Sequence, residues 1–178
     1  MKFKAELMDE SSVHRSLIRI AHEIIEKNKG TENICILGIK TRGVPLSNII
    51  ADNIEKIEGI KISVGELDIN HYRDDLTERY DLPEVTQPNL PFDINGKDII
   101  LVDDVLFTGR TVRAAIEAIF SLGRPSSIQL AILVDRGHRE LPFKADYVGK
   151  NIPTSMTEHI SVQLDDTDNI TCVKLFSL

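Results

Sequence analysis

Cysteine, aromatic residues and long apolar runs are all scarce in this sequence. Its 178 residues include two cysteines and no tryptophan, and aromatic residues make up 5% of the chain. Cys35 and Cys172 each stand alone in an apolar stretch, which argues against a disulfide scaffold or a zinc site and is typical of buried thiols in a reducing compartment. No apolar run approaches the roughly 18 residues of a membrane span, and residues 1–6 lack the apolar core of a signal peptide. We therefore expect a cytoplasmic protein.

Positive charge is also in deficit. Lys and Arg number 21 against 28 Asp and Glu, so the formal net charge is −7. Because phosphate groups are neutralised by Lys and Arg, this balance excludes nucleic-acid binding by the whole surface and leaves room only for a local patch. The hydrophobic and charged fractions, 42% and 28%, are ordinary for a globular chain that buries a core. We expect a single domain that spans residues 1–178.

Apolar periodicity predicts a chain of alternating helices and strands. Residues 11–29 have apolar side chains at helical spacing, with Asp9 available as a cap and Gly30 as the stop. Beyond this helix, short apolar runs alternate with helical patterns, at residues 34–39, 46–57, 60–67, 99–102, 111–122 and 128–134. This order predicts an α/β fold with a mainly parallel sheet flanked by helices.

Two regions depart from the alternation. Between Ile69 and Lys97 the pattern lapses and three prolines appear, at positions 83, 88 and 91. A connection this long within a small domain is usually functional, so we expect a loop or hairpin arm that acts as a lid. Near the end of the chain, residues 146–148, 160–164 and 172–176 have the pattern of short strands, with an acidic turn at 165–168, and we expect a small C-terminal hood of strands.

The most informative segment runs from Ile99 to Thr111. An apolar strand leads into two adjacent carboxylates, Asp103 and Asp104, and a Thr-Gly-Arg-Thr turn at 108–111 then opens a helix. The free N–H groups of a helix start, together with Thr hydroxyls and a glycine, form a cradle for a phosphate. Two carboxylates suit the two hydroxyls of a ribose, or Mg²⁺ held directly or through water. The pair predicts a ribose 5-phosphate site at the carboxyl end of a parallel strand, although either half alone is also typical of a solvated turn or a helix cap.

Two further clusters are basic. The turn Lys40–Gly43 follows the strand at 34–39 and offers cationic and backbone donors for a pyrophosphate, or is an ordinary basic turn. On the first helix, one polar stripe lies opposite the apolar face, at Arg15, Arg19, His22 and Glu26, and such a stripe is most often a solvated face. The segment from Arg136 to Lys150 has four Lys and Arg against two acids and adds His138.

The segment from Val102 to Thr111 resembles the phosphoribosyl pyrophosphate motif of type I phosphoribosyltransferases, and the surrounding elements fit that fold over most of the chain. A narrower resemblance is to the family of bifunctional pyrimidine-operon attenuation regulators, which bind RNA and are also uracil phosphoribosyltransferases. The stretches that carry it are RIAHE (19–23), GIKTRG (38–43), YRDDL (72–76), DVLFTGRTVR (104–113) and VDRGHRELP (134–142), extended by GKNIPTS (149–155).

The resemblance implies a role for each matching position. Asp103 and Asp104 take the ribose hydroxyls and Mg²⁺, residues 108–111 bind the 5-phosphate, and Arg42 belongs to the pyrophosphate loop. The implied substrate-binding residues are Lys40, Thr41, Arg42, Arg73, Asp103, Asp104, Val105, Leu106, Phe107, Thr108, Gly109, Arg110, Thr111 and Arg136. Of these, Arg73 either closes over the pyrophosphate or is merely exposed to solvent, and Arg136 lies on the base-binding side.

The implied reaction is a pentosyl transfer. A ring nitrogen of uracil displaces pyrophosphate from the anomeric carbon of phosphoribosyl pyrophosphate and gives UMP. Positive charge develops on the sugar and negative charge on pyrophosphate, so catalysis requires positioning and charge stabilisation by Mg²⁺, Lys40 and Arg42. Asp103, Asp104 and Arg42 are the implied catalytic residues; no nucleophilic residue is needed, and a role for either carboxylate as general base is open.

The second implied function is attenuation of transcription of pyrimidine biosynthetic genes. The protein would bind a leader mRNA hairpin in response to uridine nucleotides, through phosphates and unpaired bases. The candidate RNA-binding residues are Arg19, His22, His138, Arg139, Lys144 and Lys150. The family also implies homodimers or larger homo-oligomers. Two alternatives stay open: a salvage enzyme for uracil without RNA binding, and a purine phosphoribosyltransferase, which shares the phosphate motif.

Overall fold

The computed structural model describes residues 1–72 and 90–178 of the chain. Its elements, in chain order, are β1 (Lys2–Met8), α1 (Glu10–Asn28), β2 (Ile34–Ile39), α2 (Gly43–Glu58), β3 (Ser63–Leu67), a 3-10 turn (Asn70–Tyr72), β4 (Asp98–Leu106), α3 (Arg110–Leu122), β5 (Ser127–Asp135), β6 (Tyr147–Asn151), β7 (Glu158–Gln163), α4 (Asp165–Asp168) and β8 (Cys172–Ser177). Five strands form a wholly parallel sheet in the order β3-β2-β4-β5-β6. The predicted parallel sheet flanked by helices is confirmed.

The helices lie on both faces of this sheet because its strands are apolar on both faces. Ile36 packs in one cluster with residues of α1 and α2, whereas its neighbour Leu37 packs in a second cluster with residues of α3. Every residue of β2 is buried, as expected for a central parallel strand. Among the helices in the described ranges, none is long and apolar enough to cross a membrane.

The remaining strands form a separate antiparallel sheet, β1-β8-β7, which is the predicted hood with two corrections. Residues 146–148, assigned to the hood from their pattern, belong to β6 at the edge of the parallel sheet, where Tyr147 pairs with Ala131. The hood instead recruits β1, for which the sequence pattern predicted no strand. Both errors have one cause, since pairing with a distant strand decides which sheet a short apolar run joins. The acidic turn at 165–168 is the one-turn helix α4.

The boundaries of two elements beside the site also differ from the expectation. β4 continues to Leu106, so Asp103 and Asp104 lie within the strand rather than after it, and Asp103 pairs with Ile132 of β5. Helix α2 begins at Gly43, three residues earlier than its apolar pattern indicates. As a result, the two carboxylates are held by the sheet, and the pyrophosphate loop is reduced to the three residues between β2 and α2.

The predicted lid or hairpin arm lies mostly outside the described residues, and so does Arg73. Its two described ends pack on the α3 face of the sheet. The Tyr72 hydroxyl lies 2.8 Å from Oγ of Ser121 on α3, and Leu90 and Phe92 pack against the same apolar cluster.

Candidate active site and RNA-binding surface

Neighbouring parallel strands β2, β4 and β5 end on one edge of the sheet, which we call the carboxyl edge. It brings together the loop before α2, the turn before α3 and the loop after β5. The start of α2 approaches β4 closely at Gly43, where an added Cβ would overlap the carbonyl oxygen of Val102. A Cβ on Gly38 of β2 would in turn lie 2.6 Å from the carbonyl oxygen of Gly43. The close packing around the pyrophosphate loop therefore requires glycine at both positions.

The two carboxylates turn back onto the backbone of β4. Oδ1 of Asp103 accepts the N–H of Asp104 at 2.9 Å, and Oδ1 of Asp104 accepts the N–H of Val105 at 2.8 Å. Asp103 is only 8% exposed. Burial raises the pKa of Asp104 above its ordinary value, although the N–H of Val105, a hydrogen bond with Asp103 and the charge of Arg42 oppose this rise. The pair is thus a compact group of oxygen donors beside a cation.

The predicted phosphate cradle is present at the start of α3. Gly109 is the residue before the helix and has φ +94°, a conformation that favours glycine. Thr108 Oγ1 lies 3.4 Å from the backbone N of Arg110. Residues 105–112 and Glu140 line a cavity of about 380 Å³. Glu140 also forms an ion pair with Arg110, whose Nε lies 2.7 Å from Oε2.

The cations of the pyrophosphate loop have different surroundings. Lys40 is half exposed and lies 3.4 Å from a carboxylate oxygen of Glu66. Arg42 approaches Asp168 of α4 in the hood, with 3.2 Å between Nη2 and Oδ1. Nε of Arg42 is buried and has no hydrogen-bond partner within the described ranges. Arg42 therefore has a donor that the described residues leave unsatisfied.

Arg136, predicted on the base-binding side, donates its hydrogen bonds to the loop before β7 and to the first residue of β7. It is 5% exposed, and its guanidinium donates to Oγ1 of Thr154 at 3.0 Å and to the carbonyl oxygens of Ser155 and Glu158 at 3.0 and 2.8 Å. The same group lies 4.1 Å from the centroid of the Phe107 ring. Burial lowers the pKa of Arg136, and the charge of Glu158 opposes this effect. A cavity of about 460 Å³ lies beside Arg136 and is lined by residues 135–139 and 151–154.

The candidate RNA-binding residues fall into two groups. Arg19 donates to the carbonyl oxygens of Val148 and Gly149 on the edge strand β6, at 3.0 and 2.7 Å, and its side chain is still 48% exposed. Lys150 at the end of β6 donates to the carbonyl oxygen of Leu7 at 2.9 Å. His22, on the same helix as Arg19, is exposed. These residues surround the contact between α1 and β6.

The second group lies in the loop that follows β5. Arg139 forms an ion pair with Asp135 and donates to the carbonyl oxygens of Phe143 and Phe107, at 3.0 and 2.9 Å, so its guanidinium braces the loop. The exposed ring of His138 lies 2.5 Å from the carbonyl oxygen of Thr154 and edge-on to Phe107. Lys144 is exposed.

Sequence reasoning missed the residues of the hood that reach the carboxyl edge. Asp168 and Thr154 contact two of the predicted arginines, but both are separated from their partners by loops whose path no local pattern reveals. The only signal was the acidic composition of 165–168, which was interpreted as a turn.

Comparison with known proteins places this geometry in a family. The family model described as the phosphoribosyl transferase domain matches residues 5–167. The Bifunctional protein PyrR of Caldicellulosiruptor bescii is 61% identical over 168 residues, which cover 94% of this chain and 92% of that protein. The Bifunctional protein PyrR of Clostridium novyi is 58% identical over 176 residues, 99% of each chain.

Solved structures agree on the fold. The hypoxanthine phosphoribosyltransferase of Trypanosoma cruzi, in a ternary substrates complex, superposes with a TM-score of 0.77 at 18% identity and covers 98% of this chain and 95% of its own. A hypoxanthine-guanine phosphoribosyltransferase of Bacillus anthracis gives a TM-score of 0.73, also at 18% identity, with 98% of each chain covered. At such low identity these structures show the type I fold alone. With the family model and the PyrR relatives, they establish that this chain belongs to the phosphoribosyl transferase domain family, in its PyrR branch of bifunctional proteins.

Proposed function

We propose that this protein is a uracil phosphoribosyltransferase that also attenuates transcription of pyrimidine biosynthetic genes by binding their leader mRNA in response to uridine nucleotides. The observation that carries the proposal is 58–61% identity to proteins named Bifunctional protein PyrR over nearly the whole chain, with a phosphoribosyl motif on the carboxyl edge. Hood residues such as Ile160 share an apolar cluster with α1, which supports one domain over residues 1–178. The protein would act in the cytoplasm as a homo-oligomer.

The sugar phosphate binds at the β4–α3 turn in this proposal. The 5-phosphate sits in the cradle of Thr108–Thr111, at the start of α3, where the positive φ of Gly109 turns the backbone toward the cavity. Asp103 and Asp104 accept hydrogen bonds from the ribose hydroxyls. Residues 105–107 line the same cavity and bound the sugar.

Phosphoribosyltransferases use Mg²⁺ together with phosphoribosyl pyrophosphate, and the donor set of this chain fits that ion. Asp103 and Asp104 are hard oxygen ligands, and Mg²⁺ commonly takes one or two carboxylates plus water and substrate phosphates. In residues 1–72 and 90–178, no group of three or more His, Cys, Asp or Glu side chains is arranged to hold a metal. When bound together with the substrate phosphates, the ion would neutralise charge on the pyrophosphate.

Transfer proceeds by displacement at the anomeric carbon. A ring nitrogen of uracil forms a bond to that carbon while its bond to the pyrophosphate oxygen breaks. Lys40 and Arg42 stabilise the negative charge that grows on the leaving pyrophosphate, and the unpartnered Nε of Arg42 supports this role. Arg73 would complete the enclosure from the segment outside the described residues.

Arg136 acts on the base side as a support in this proposal. Its donors are directed to Thr154 and to two hood carbonyls, so its main contribution is to hold the wall of the adjoining cavity and the ring of Phe107. The base would contact that wall.

RNA binds a local basic surface of this acidic protein. We assign Arg19, His22 and Lys150, around the α1–β6 contact, to RNA phosphates and bases, together with exposed Lys144 and His138. Arg139 holds the loop that presents His138, because its guanidinium is engaged with Asp135 and backbone carbonyls.

The regulatory half is tested by binding of a labelled pyrimidine-leader RNA hairpin at fixed low salt, with and without UMP. We expect tight binding that UMP strengthens, lost in Arg19→Glu and kept in Arg124→Glu. Arg124 is a matched control because it is exposed and follows α3, which packs on the opposite face of the parallel sheet from α1. Melting temperatures show whether Arg19→Glu is folded. Binding no tighter than to an unrelated hairpin would reduce the protein to a salvage enzyme.

The enzymatic half is tested by UMP formation from uracil and phosphoribosyl pyrophosphate, in competition with hypoxanthine and guanine. We expect uracil to be preferred, and Asp103→Asn to abolish transfer while RNA binding persists. Preference for a purine would contradict the proposal in favour of a purine phosphoribosyltransferase, since the ribose 5-phosphate site is indifferent to the base.

A further inference from the structure

Arg42 of the pyrophosphate loop is held by a residue of α4, the short helix between β7 and β8. Its Nη2 lies 3.2 Å from Oδ1 and 3.4 Å from Oδ2 of Asp168, which is 126 positions later in the chain. The carboxylate of Asp168 is itself fixed, because Oδ2 accepts the backbone N–H of Leu164 at 3.0 Å. This ion pair joins the hood to the loop that is proposed to hold the leaving group.

Asp168 leaves most of the guanidinium free. It contacts only Nη2, and Nε is buried without a partner in the part of the chain that the structure describes. An arginine presents five N–H donors in a rigid fork, which suits a phosphate group. An arginine held by one nitrogen thus still has the donors that a pyrophosphate needs.

We infer that Asp168 is a positioning residue for phosphoribosyl transfer: its ion pair holds the guanidinium of Arg42, which keeps donors without partners in the described residues, in place for the leaving pyrophosphate. The inference rests on the proposed function and adds a residue of the hood to it. Asp168 touches neither substrate nor reacting atoms and acts through Arg42 alone.

A double-mutant cycle on the full chain tests this role. We measure kcat and the KM values for phosphoribosyl pyrophosphate and uracil in wild type, Asp168→Ala, Arg42→Ala and the double variant. Arg42→Ala should lower kcat/KM for phosphoribosyl pyrophosphate about 100-fold, and Asp168→Ala about tenfold. In the Arg42→Ala background, Asp168→Ala should lower kcat/KM for phosphoribosyl pyrophosphate by less than about twofold, because the partner of Asp168 is already absent. The KM for uracil should not change.

The matched control is Asp166→Ala, an exposed acid of the same helix, which should leave all constants unchanged. If Asp168→Ala unfolds the hood, Asp168→Asn repeats the cycle, because the amide oxygen can still accept the N–H of Leu164. Equal losses in both backgrounds would overturn the inference, since Asp168 would then act through the hood and not through Arg42. No loss in the wild-type background would overturn it as well. A wild-type protein that makes no UMP contradicts the proposed function instead, so the two failures are distinct.

Discussion

Arg42 and Arg136 follow β2 and β5 at the same edge of the parallel sheet, yet they use their donors in opposite ways. Arg136 is buried and donates to three oxygens of the β6–β7 loop and the start of β7, whereas the Arg42 side chain is 35% exposed and keeps a buried Nε without a partner in the described residues. On the base side of the site, the hydrogen-bond donors of Arg136 are therefore already paired within the protein. On the pyrophosphate side, Arg42 retains donors without partners in the described part of the chain. An arginine in a binding site can donate to a ligand only with those N–H groups that are not already hydrogen-bonded within the protein.

The largest effect is expected from breaking the base side. Arg136→Met removes a buried cation and leaves hood carbonyls without donors, so we expect the free energy of unfolding to fall by on the order of 3 kcal/mol. Chemical denaturation measures this loss. Arg136→Lys keeps the positive charge but lacks the forked donors of a guanidinium. Its free energy of unfolding should therefore lie between those of Arg136→Met and wild type. An unchanged stability with a raised KM for uracil would instead make Arg136 a direct ligand of the base.

Catalysis should be sensitive to small added side chains in the pyrophosphate loop. Gly43→Ala places a methyl group against the carbonyl oxygen of Val102, which must displace the loop that carries Arg42. We expect kcat/KM for phosphoribosyl pyrophosphate to fall about 100-fold, since small misplacements in a site cost this much. Steady-state kinetics check the loss. Gly59→Ala, at the other end of α2 with no atom within 4 Å of the added Cβ, is the control and should cost stability but not activity. An equal loss in both variants would refute the argument from shape.

Asp104, on the ribose side of the site, sharpens the comparison because its buried negative charge should lower the free energy of unfolding. Burial raises the pKa of Asp104 in the folded protein, so the native state keeps this proton to higher pH than the unfolded chain does. The native state then binds more protons, and the contribution of Asp104 to stability falls as pH rises above the ordinary value of 3.8.

We therefore expect Asp104→Asn to melt on the order of 2 °C above wild type at pH 7, with less UMP formation. The difference should shrink as pH falls toward and below 3.8, the ordinary pKa, because the wild-type carboxyl is then protonated in both states. Thermal melts at several pH values measure it. Asp52→Asn is the matched control, because it removes the same charge from an exposed position on α2. A lower melting temperature for Asp104→Asn at pH 7 would show that its neighbours outweigh its burial.

The smallest effect is expected in the loop that follows β5. Lys144→Ala should leave the free energy of unfolding within about 0.5 kcal/mol of wild type, because the side chain is exposed. Arg139→Ala should cost more, since Arg139 braces the loop through Asp135 and two backbone carbonyls. Denaturation of both variants compares them directly. Equal stabilities would mean that the bonds of Arg139 contribute little.

The parts of the site that could be predicted are contiguous in sequence. Asp103 and Asp104, the turn at 108–111 and helix α3 follow one another, so their types and order indicate a phosphate cradle without knowledge of the fold. The turn Lys40–Gly43 was recognisable in the same way. Alternating apolar runs were enough to predict the parallel sheet, since strands buried on both faces are apolar throughout.

The parts that could not be predicted depend on distant partners. The short apolar run at β6 fits either sheet, and only its pairing with β5 decides between them. β1 is a strand because β8, at the other end of the chain, pairs with it. Arg139 and Arg136 looked like surface cations for ligands, but the fold supplies carbonyl and carboxylate partners that engage their donors.

By itself, the sequence determined which chemistry is present: a pair of carboxylates, a phosphate-binding turn and a basic loop, each encoded within a few consecutive residues. The tertiary structure alone decided which charges remain available, by placing the hood over the carboxyl edge so that Asp168 reaches Arg42 while Thr154 and two carbonyls engage Arg136. The physical reason is that residue type sets how many hydrogen bonds a side chain can form, whereas the partners that occupy them come from segments far apart in the chain.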